Sequence, residues 1–318
     1  MNKRDTSIFK IIIWSLIALF LISILVSGIR FKSTNIRLKS SSFNFFSIGS
    51  NHYFDSSSYS SGNNEVDAAG LSDIEINWID GSVNIEGYDG DTIKFYEECG
   101  RELDDNDLLH YCNSGNKLTI QYSSSKKIPI SLGGFDLHKS LTVQVPESMM
   151  DQFNDLTIDA VSSDINIKNI NSKYIDIESL SGKVSLSSIK VSKIDVETAS
   201  GDIDSDNITV DKTSNMSTIS GNVSLNGSIS DIDFESTSGD LKVNSNVCPS
   251  NVDTDTTSGN VTLNIPDNDG FTYSCDGLSG DLKCDFPTNV EKGEGTYGNG
   301  NADFSFNTVS GDINILKN

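Results

Sequence analysis

Acidic residues recur two apart along the second half of this chain, as Asp176/Glu178, Asp195/Glu197, Asp233/Glu235 and Asp253/Asp255, with Asn215/Ser217 in the same phase. Oxygen ligands gathered at this density are what Ca²⁺ takes. The quartets Asp176/Glu178/Asp195/Glu197 and Asp233/Glu235/Asp253/Asp255 are therefore candidate Ca²⁺ ligands. Two carboxylates are also what glycoside hydrolysis uses, but there the acids flank a bond in unlike environments. Acids repeated in one phase offer no such difference, so no catalytic residue is assigned and no cofactor beyond Ca²⁺ is expected. The competing reading is a solvated face that discourages aggregation.

The acids are positioned by a repeat. Ser-Gly-Asp/Asn-like corners carry Gly182, Gly201, Gly221, Gly239, Gly259, Gly280 and Gly311, at steps of 19, 20, 18, 20, 21 and 31 residues. A degenerate copy, Ser162-Ser163-Asp164-Ile165, precedes them, and Lys183 stands where the others have Asp or Asn. Apolar pairs lie five and seven residues upstream of the glycines (Ile175/Ile177, Ile194/Val196, Ile232/Phe234, Phe304/Phe306). Further apolar residues follow at Val184, Ile203, Val223, Leu241, Val261, Leu282 and Ile313. Ile189, Ile208, Ile229 and Val247 suggest a third inward contact. Alternation on both sides of a glycine describes short strands joined at a corner, where glycine can take positive φ and Ser or Asp can bond local backbone.

A fixed period of this length specifies stacked units. A β-sandwich also has short strands, but it does not demand identical corners. One coil buries too little apolar surface to offset the entropy of ordering it, so neighbouring coils must supply the balance. The expected fold is an all-β, parallel β-solenoid of about 19–20 residues per coil, right-handed like other parallel crossovers. Within it, residues 161–318 form the regular coils and residues 73–160 an irregular N-terminal cap.

Residues 11–29 are almost wholly apolar, long enough for one transmembrane helix and longer than the apolar core of a cleaved signal peptide. Residues 1–10 then form a short cytoplasmic tail and the Ser/Asn-rich residues 30–72 a spacer. Basic residues lie on both sides of the apolar segment, and export of the C-terminal domain is preferred because long domains translocate largely regardless of charge. Beyond residue 39 the chain holds 16 basic against 44 acidic residues. Such a surface repels nucleic acid, which is excluded as a partner.

Other motifs carry less. Gly293-Glu294-Gly295-Thr296-Tyr297-Gly298 has dinucleotide-loop spacing, but alternating residues follow it instead of a helix, so it reads as a glycine-rich turn. The five cysteines lack metal spacing. Cys275 and Cys284 occupy inward positions, as core residues or a disulfide, and Cys99 and Cys112 are a second candidate pair. The histidines His52, His110 and His138 all lie outside the repeats.

Taken together, Trp78-Ile79-Asp80-Gly81-Ser82-Val83, the Ser-Gly-Asp/Asn ladder, and Tyr297-Gly298-Asn299-Gly300 leading into Val309-Ser310-Gly311-Asp312-Ile313 resemble the bacterial putative-adhesin family. The resemblance covers roughly residues 74–316. It implies an exported or membrane-anchored β-solenoid without an assigned catalytic centre. The expected protein is a non-enzymatic, single-pass cell-envelope module with its C-terminal domain outside, meeting a surface glycan or envelope protein. The alternatives are a polysaccharide-active β-helix enzyme and a calcium-stabilised envelope sensor.

Overall fold

The computed structural model describes residues 58–124, 137–291 and 293–318. The chain divides into two units, Met1–Phe43 and Asn44–Asn318, and the described residues all belong to the second. The expected tail, transmembrane segment 11–29 and first part of the spacer lie outside the described residues. Among the described residues no helix is long and apolar enough to cross a membrane.

The second unit is all-β and built on parallel ladders. Asn171–Ser181, Lys190–Thr198, Ile208–Thr218, Val223–Ser236 and Asn251–Ser258 pair in that order, all in parallel. The shorter strands after each glycine corner form a second parallel ladder through Val184–Ser187, Ile203–Asp206, Val223–Ser236, Leu241–Ser245 and Val261–Ile265. The core between them holds the expected files: Ile175/Ile177, Ile194/Val196, Ile232/Phe234 and Phe304/Phe306 are all buried. Ile189, Ile208 and Ile229 are buried too, whereas Val247 is 41% exposed. Between the paired positions Ser245 and Asn251 the chain has two more residues than between their partners Gly227 and Asp231, and this slack carries Val247 outward.

At five of the seven repeat corners glycine is required for a reason other than the expected one. Gly81, Gly182 and Gly280 have positive φ, but Gly201, Gly221, Gly239, Gly259 and Gly311 do not. A Cβ on any of these five would lie 1.9–2.1 Å from the carbonyl oxygen of the neighbouring corner. Close backbone approach demands the glycine. Left-handed φ is used instead at a second corner six residues on, where Asn169, Ser188 and Asn207 have φ of 53–54°.

The Asp or Asn after each glycine bonds across rungs and not locally. Its side-chain oxygen accepts the N–H of the equivalent residue one rung further: Asp202 from Asn222 (2.8 Å), Asn222 from Asp240 (3.1 Å), Asp240 from Asn260 (2.7 Å), Asn260 from Asp312 (2.9 Å) and Asp312 from Asp281 (2.9 Å). The Lys183 N–H donates such a bond to Asp164 Oδ1 at 2.9 Å, but its own side chain has no oxygen to accept the next one. Its ammonium pairs with Asp204 instead.

That ladder also shows that rung order departs from chain order. Ala302–Ser310 lies between Asn251–Ser258 and Gly270–Ser279, so the last strand pair is the penultimate rung and Gly270–Cys284 the outermost. The N-terminal end does the same. Asp73–Tyr88 sits between Asp155–Lys168 on one side and Lys117–Gln121 with Lys139–Pro146 on the other. Both ends carry antiparallel strands and aromatic plugs: Phe271 stacks on Phe304 at 4.8 Å and meets Phe286 edge-on at 5.2 Å, while Trp78 meets Tyr122 edge-on at 4.9 Å. The expected cap is thus partly antiparallel. It recruits Ser60–Ser61 and Asn64–Asp67, residues read from sequence as spacer, onto Tyr111 and Phe95 strands. The expected glycine-rich turn at 293–298 is likewise a strand, Glu294–Gly298, antiparallel to Gly270–Ser279.

Candidate functional site

Alternation along each strand turns the acids away from the core, and parallel register lines them up. One file runs Asp176, Asp195, Asn215, Asp233, Asp253, and its neighbour Glu178, Glu197, Ser217, Glu235, Asp255. Both quartets are therefore brought together, separated by the Asn215/Ser217 rung. The second file continues to Asp159 beyond Glu178 and to Asn307 beyond Asp255.

Within these files the carboxylates have partners from the protein itself. Asp195 Oδ2 accepts the Tyr174 hydroxyl at 2.5 Å and lies 2.8 Å from Lys193 Nζ, while its Oδ1 accepts Asn215 Nδ2 at 2.6 Å. Lys193 also sits 5.2 Å over the Tyr174 ring. Burial, then the charges of Asp195 and Glu178, push Asp176 up to about 6. Burial and then Asp253 and Glu235 do the same to Asp255, up to about 6, against a lowering bond from Asn307. Glu197 is raised by burial and then by Glu178 and Asp176. All three move in one direction for the same two causes, burial first and then the charge of neighbouring carboxylates. The arrangement can take up protons near pH 6. Among the described residues no group of three or more His, Cys, Asp or Glu side chains is gathered as a metal ion would need.

The cysteines are all free thiols, so neither Cys99/Cys112 nor Cys275/Cys284 is bridged. Cys99 Sγ is turned to the Leu137 carbonyl at 3.1 Å. Cys275 and Cys284 pack against the core on separate ladders, opposite Phe306 and Ile315. Burial raises both thiols and Cys248, which keeps them in the protonated, unreactive form. His110 is buried with Nδ1 2.9 Å from the Leu108 carbonyl, and His138 Nδ1 lies 3.0 Å from the buried Asp80 carboxylate. His52 is outside the described residues.

A buried ion pair in the cap has no signature in the sequence. Lys139 is 0% exposed. Its Nζ lies 2.5 Å from Glu97 Oε2, donates to the Asp107 carbonyl at 2.7 Å and to the Tyr122 carbonyl, and stands 4.2 Å over the Tyr122 ring. Glu97 Oε1 accepts the Leu109 N–H at 2.6 Å, and Trp78 Nε1 donates to the Lys139 carbonyl at 3.1 Å. Burial lowers the Lys139 pKa and Glu97 opposes that shift. With every donor engaged and no access for solvent, Lys139 ties the 97, 107, 122 and 139 segments together. Alternation with Leu141, Val143 and Val145 places Lys139 on the inward face, but the sequence does not show that Glu97 meets it there. The Gly81 corner lets the two strands approach, since a Cβ there would meet the Lys139 carbonyl at 2.2 Å.

Stacked parallel strands, glycine corners in register and outward acidic files define a repetitive parallel β domain. The chain belongs to the Toastrack DUF4097 family, matching it over residues 71–316. No curated protein matches it. Three solved structures are similar to it. One, from Parabacteroides distasonis ATCC 8503 and described as a "putative lipid binding protein", is 17% identical with a TM-score of 0.48, over 79% of this chain and 95% of that one. A "putative cell adhesion protein" from Clostridium sporogenes ATCC 15579 is 16% identical with a TM-score of 0.25, over 82% and 100%. A "putative adhesin" from Bacteroides fragilis NCTC 9343 is 14% identical with a TM-score of 0.38, over 80% and 96%.

Proposed function

We propose that this protein is a non-enzymatic, membrane-tethered envelope module. In this reading the N-terminal apolar segment anchors it, and the second unit, a right-handed β-solenoid, is displayed outside the cell for adhesion or scaffolding. The observation that carries the non-enzymatic part is the repetition of like carboxylates in register, Asp176/Glu178 beside Asp195/Glu197 and Asp233/Glu235 beside Asp253/Asp255, which gives no pair unlike surroundings. An acid–base pair needs pKa values driven apart. The apolar span of residues 11–29 supports the anchor, and the acidic surface disfavours nucleic acid as a partner.

Protease added to intact cells tests the display. Loss of the second unit, with a cytoplasmic marker intact, is the expected result; full protection in cells whose known surface proteins are cleaved would sink it. The enzymatic alternative predicts turnover on a glycan panel that disappears in Glu197→Gln or Asp253→Asn variants.

A second reading is a Ca²⁺-stabilised stack: Asp233, Glu235, Asp253 and Asp255 stand in register but are not gathered as a cation needs, so this reading requires their side chains to swing together around the ion. It predicts that a chelator lowers the thermal midpoint and that Ca²⁺ restores it. An unchanged midpoint removes this reading.

A further inference from the structure

The outermost strand, Gly270–Ser279, is flanked by Ala302–Ser310 and by the antiparallel Glu294–Gly298, which pairs in turn with Asn289–Glu291. Register sets Asp303, Thr272, Thr296 and Asn289 side by side in one cross-strand row, and Ser274 beside Glu294 in the next. Tyr273 and Gly295, between the two rows, are buried. Alternation therefore turns the six polar residues to the outer face. Gly295 lets the hairpin lie close, since a Cβ there would meet the Tyr273 ring at 2.5 Å. The six side chains line an open groove of about 500 Å³.

This groove is where one of the two like-charge files stops. The file of Asp233 and Asp253 continues as Ser305 and Ser274, so carboxylates give way to hydroxyls. Three hydroxyls, one amide and two carboxylates converge, with no cationic side chain among the lining residues. Thr272 Oγ1 donates to Asp303 Oδ1 at 2.9 Å and steadies that carboxylate. Such a surface accepts hydrogen bonds from ligand hydroxyls or ammonium groups and repels phosphate, sulfate and uronate. The strands are about 4.8 Å apart, a spacing close to the advance of one sugar unit in an extended chain.

We propose that this groove binds an uncharged or amine-bearing oligosaccharide laid across the four strands, one sugar to a strand. The proposal rests on the display reading above and names its ligand class. The full chain in detergent solution is titrated calorimetrically with four probes of equal length: a β-1,4-linked N-acetylglucosamine oligomer, its de-acetylated amine form, a β-1,4-glucose oligomer and a galacturonate oligomer. Saturable binding of at least one of the first three, and none of the last, is expected. The double variant Thr272→Val/Thr296→Val, which keeps strand propensity, should weaken binding tenfold or more with the thermal midpoint unchanged, whereas Asp176→Asn, six rungs away along the same face, should leave affinity intact. No saturable binding, equal binding of the uronate, or indifference to the double variant overturns the proposal. A chain that protease removes from cells but that binds no sugar would end the groove assignment alone; a sugar-binding chain protected on intact cells would end the display reading alone.

Discussion

The carbonyl oxygen of Gly182 lies 1.9 Å from the point where a Cβ on Gly201 would stand. The same relation recurs up the stack, so the corner glycines form a column of backbone packed on backbone. Gly201→Ala must separate two rungs or break the ladder around them, and is expected to cost at least about 3 kcal/mol. Gly100 has nothing within 4 Å and no positive φ, so Gly100→Ala serves as the neutral control. Urea midpoints of the two variants measure the difference.

Protonation of the acidic files should stabilise the fold. Asp176 and Asp255 have folded pKa values of about 6 against the ordinary 3.8, so between these values the folded chain binds more protons than the unfolded one. Stability therefore rises as pH falls from 7 towards 4, and is lost again as pH climbs through 6. Both groups are partly solvated, so screening reduces the effect to the order of 1 kcal/mol together, or about 2–4 °C for a unit of this size. Asp176→Asn/Asp255→Asn should raise the midpoint at pH 7.5 and flatten its slope over pH 4–7 in calorimetry. A midpoint that falls steadily on acidification over pH 7–5 would contradict this.

Removing one half of the cap ion pair should be costly. Lys139→Met leaves the Glu97 charge buried, and about 3–5 kcal/mol of stability should be lost. Lys139→Met/Glu97→Gln should recover part of that loss, because a neutral amide still accepts the Leu109 N–H. Denaturant melts of both variants, followed by Trp78 fluorescence, give the comparison.

Ser214 interrupts the inward file between Ile194 and Ile232, and its hydroxyl is buried with no partner. Ser214→Ala removes an unsatisfied polar group, and a gain of about 1 kcal/mol is expected. A thermal midpoint that falls instead would show that the hydroxyl is satisfied by water.

The repeat itself was legible because its physics is local and periodic. Two-residue alternation separates the core file Ile175/Ile177 from the acids Asp176 and Glu178, and a parallel ladder at constant offset carries that separation from rung to rung. The acidic files and the core therefore needed only the spacing of residues. The reason for the glycines was not legible, because approach to a neighbouring backbone belongs to two rungs, whereas positive φ belongs to one residue. Nor was the order of rungs. Gly259, Gly280 and Gly311 follow one another in the chain, yet Gly311 packs on Gly259 and Gly280 on Gly311. Identical corners fit one another in any order, so only the long connection and the aromatic plug of Phe271, Phe286 and Phe304 settle which coil ends the stack. The buried Lys139 and the hydroxyl groove arise at those same ends. There the chain leaves its period, and only the tertiary structure decides which distant segments meet, Glu97 with Lys139 and Glu294–Gly298 with Gly270–Ser279.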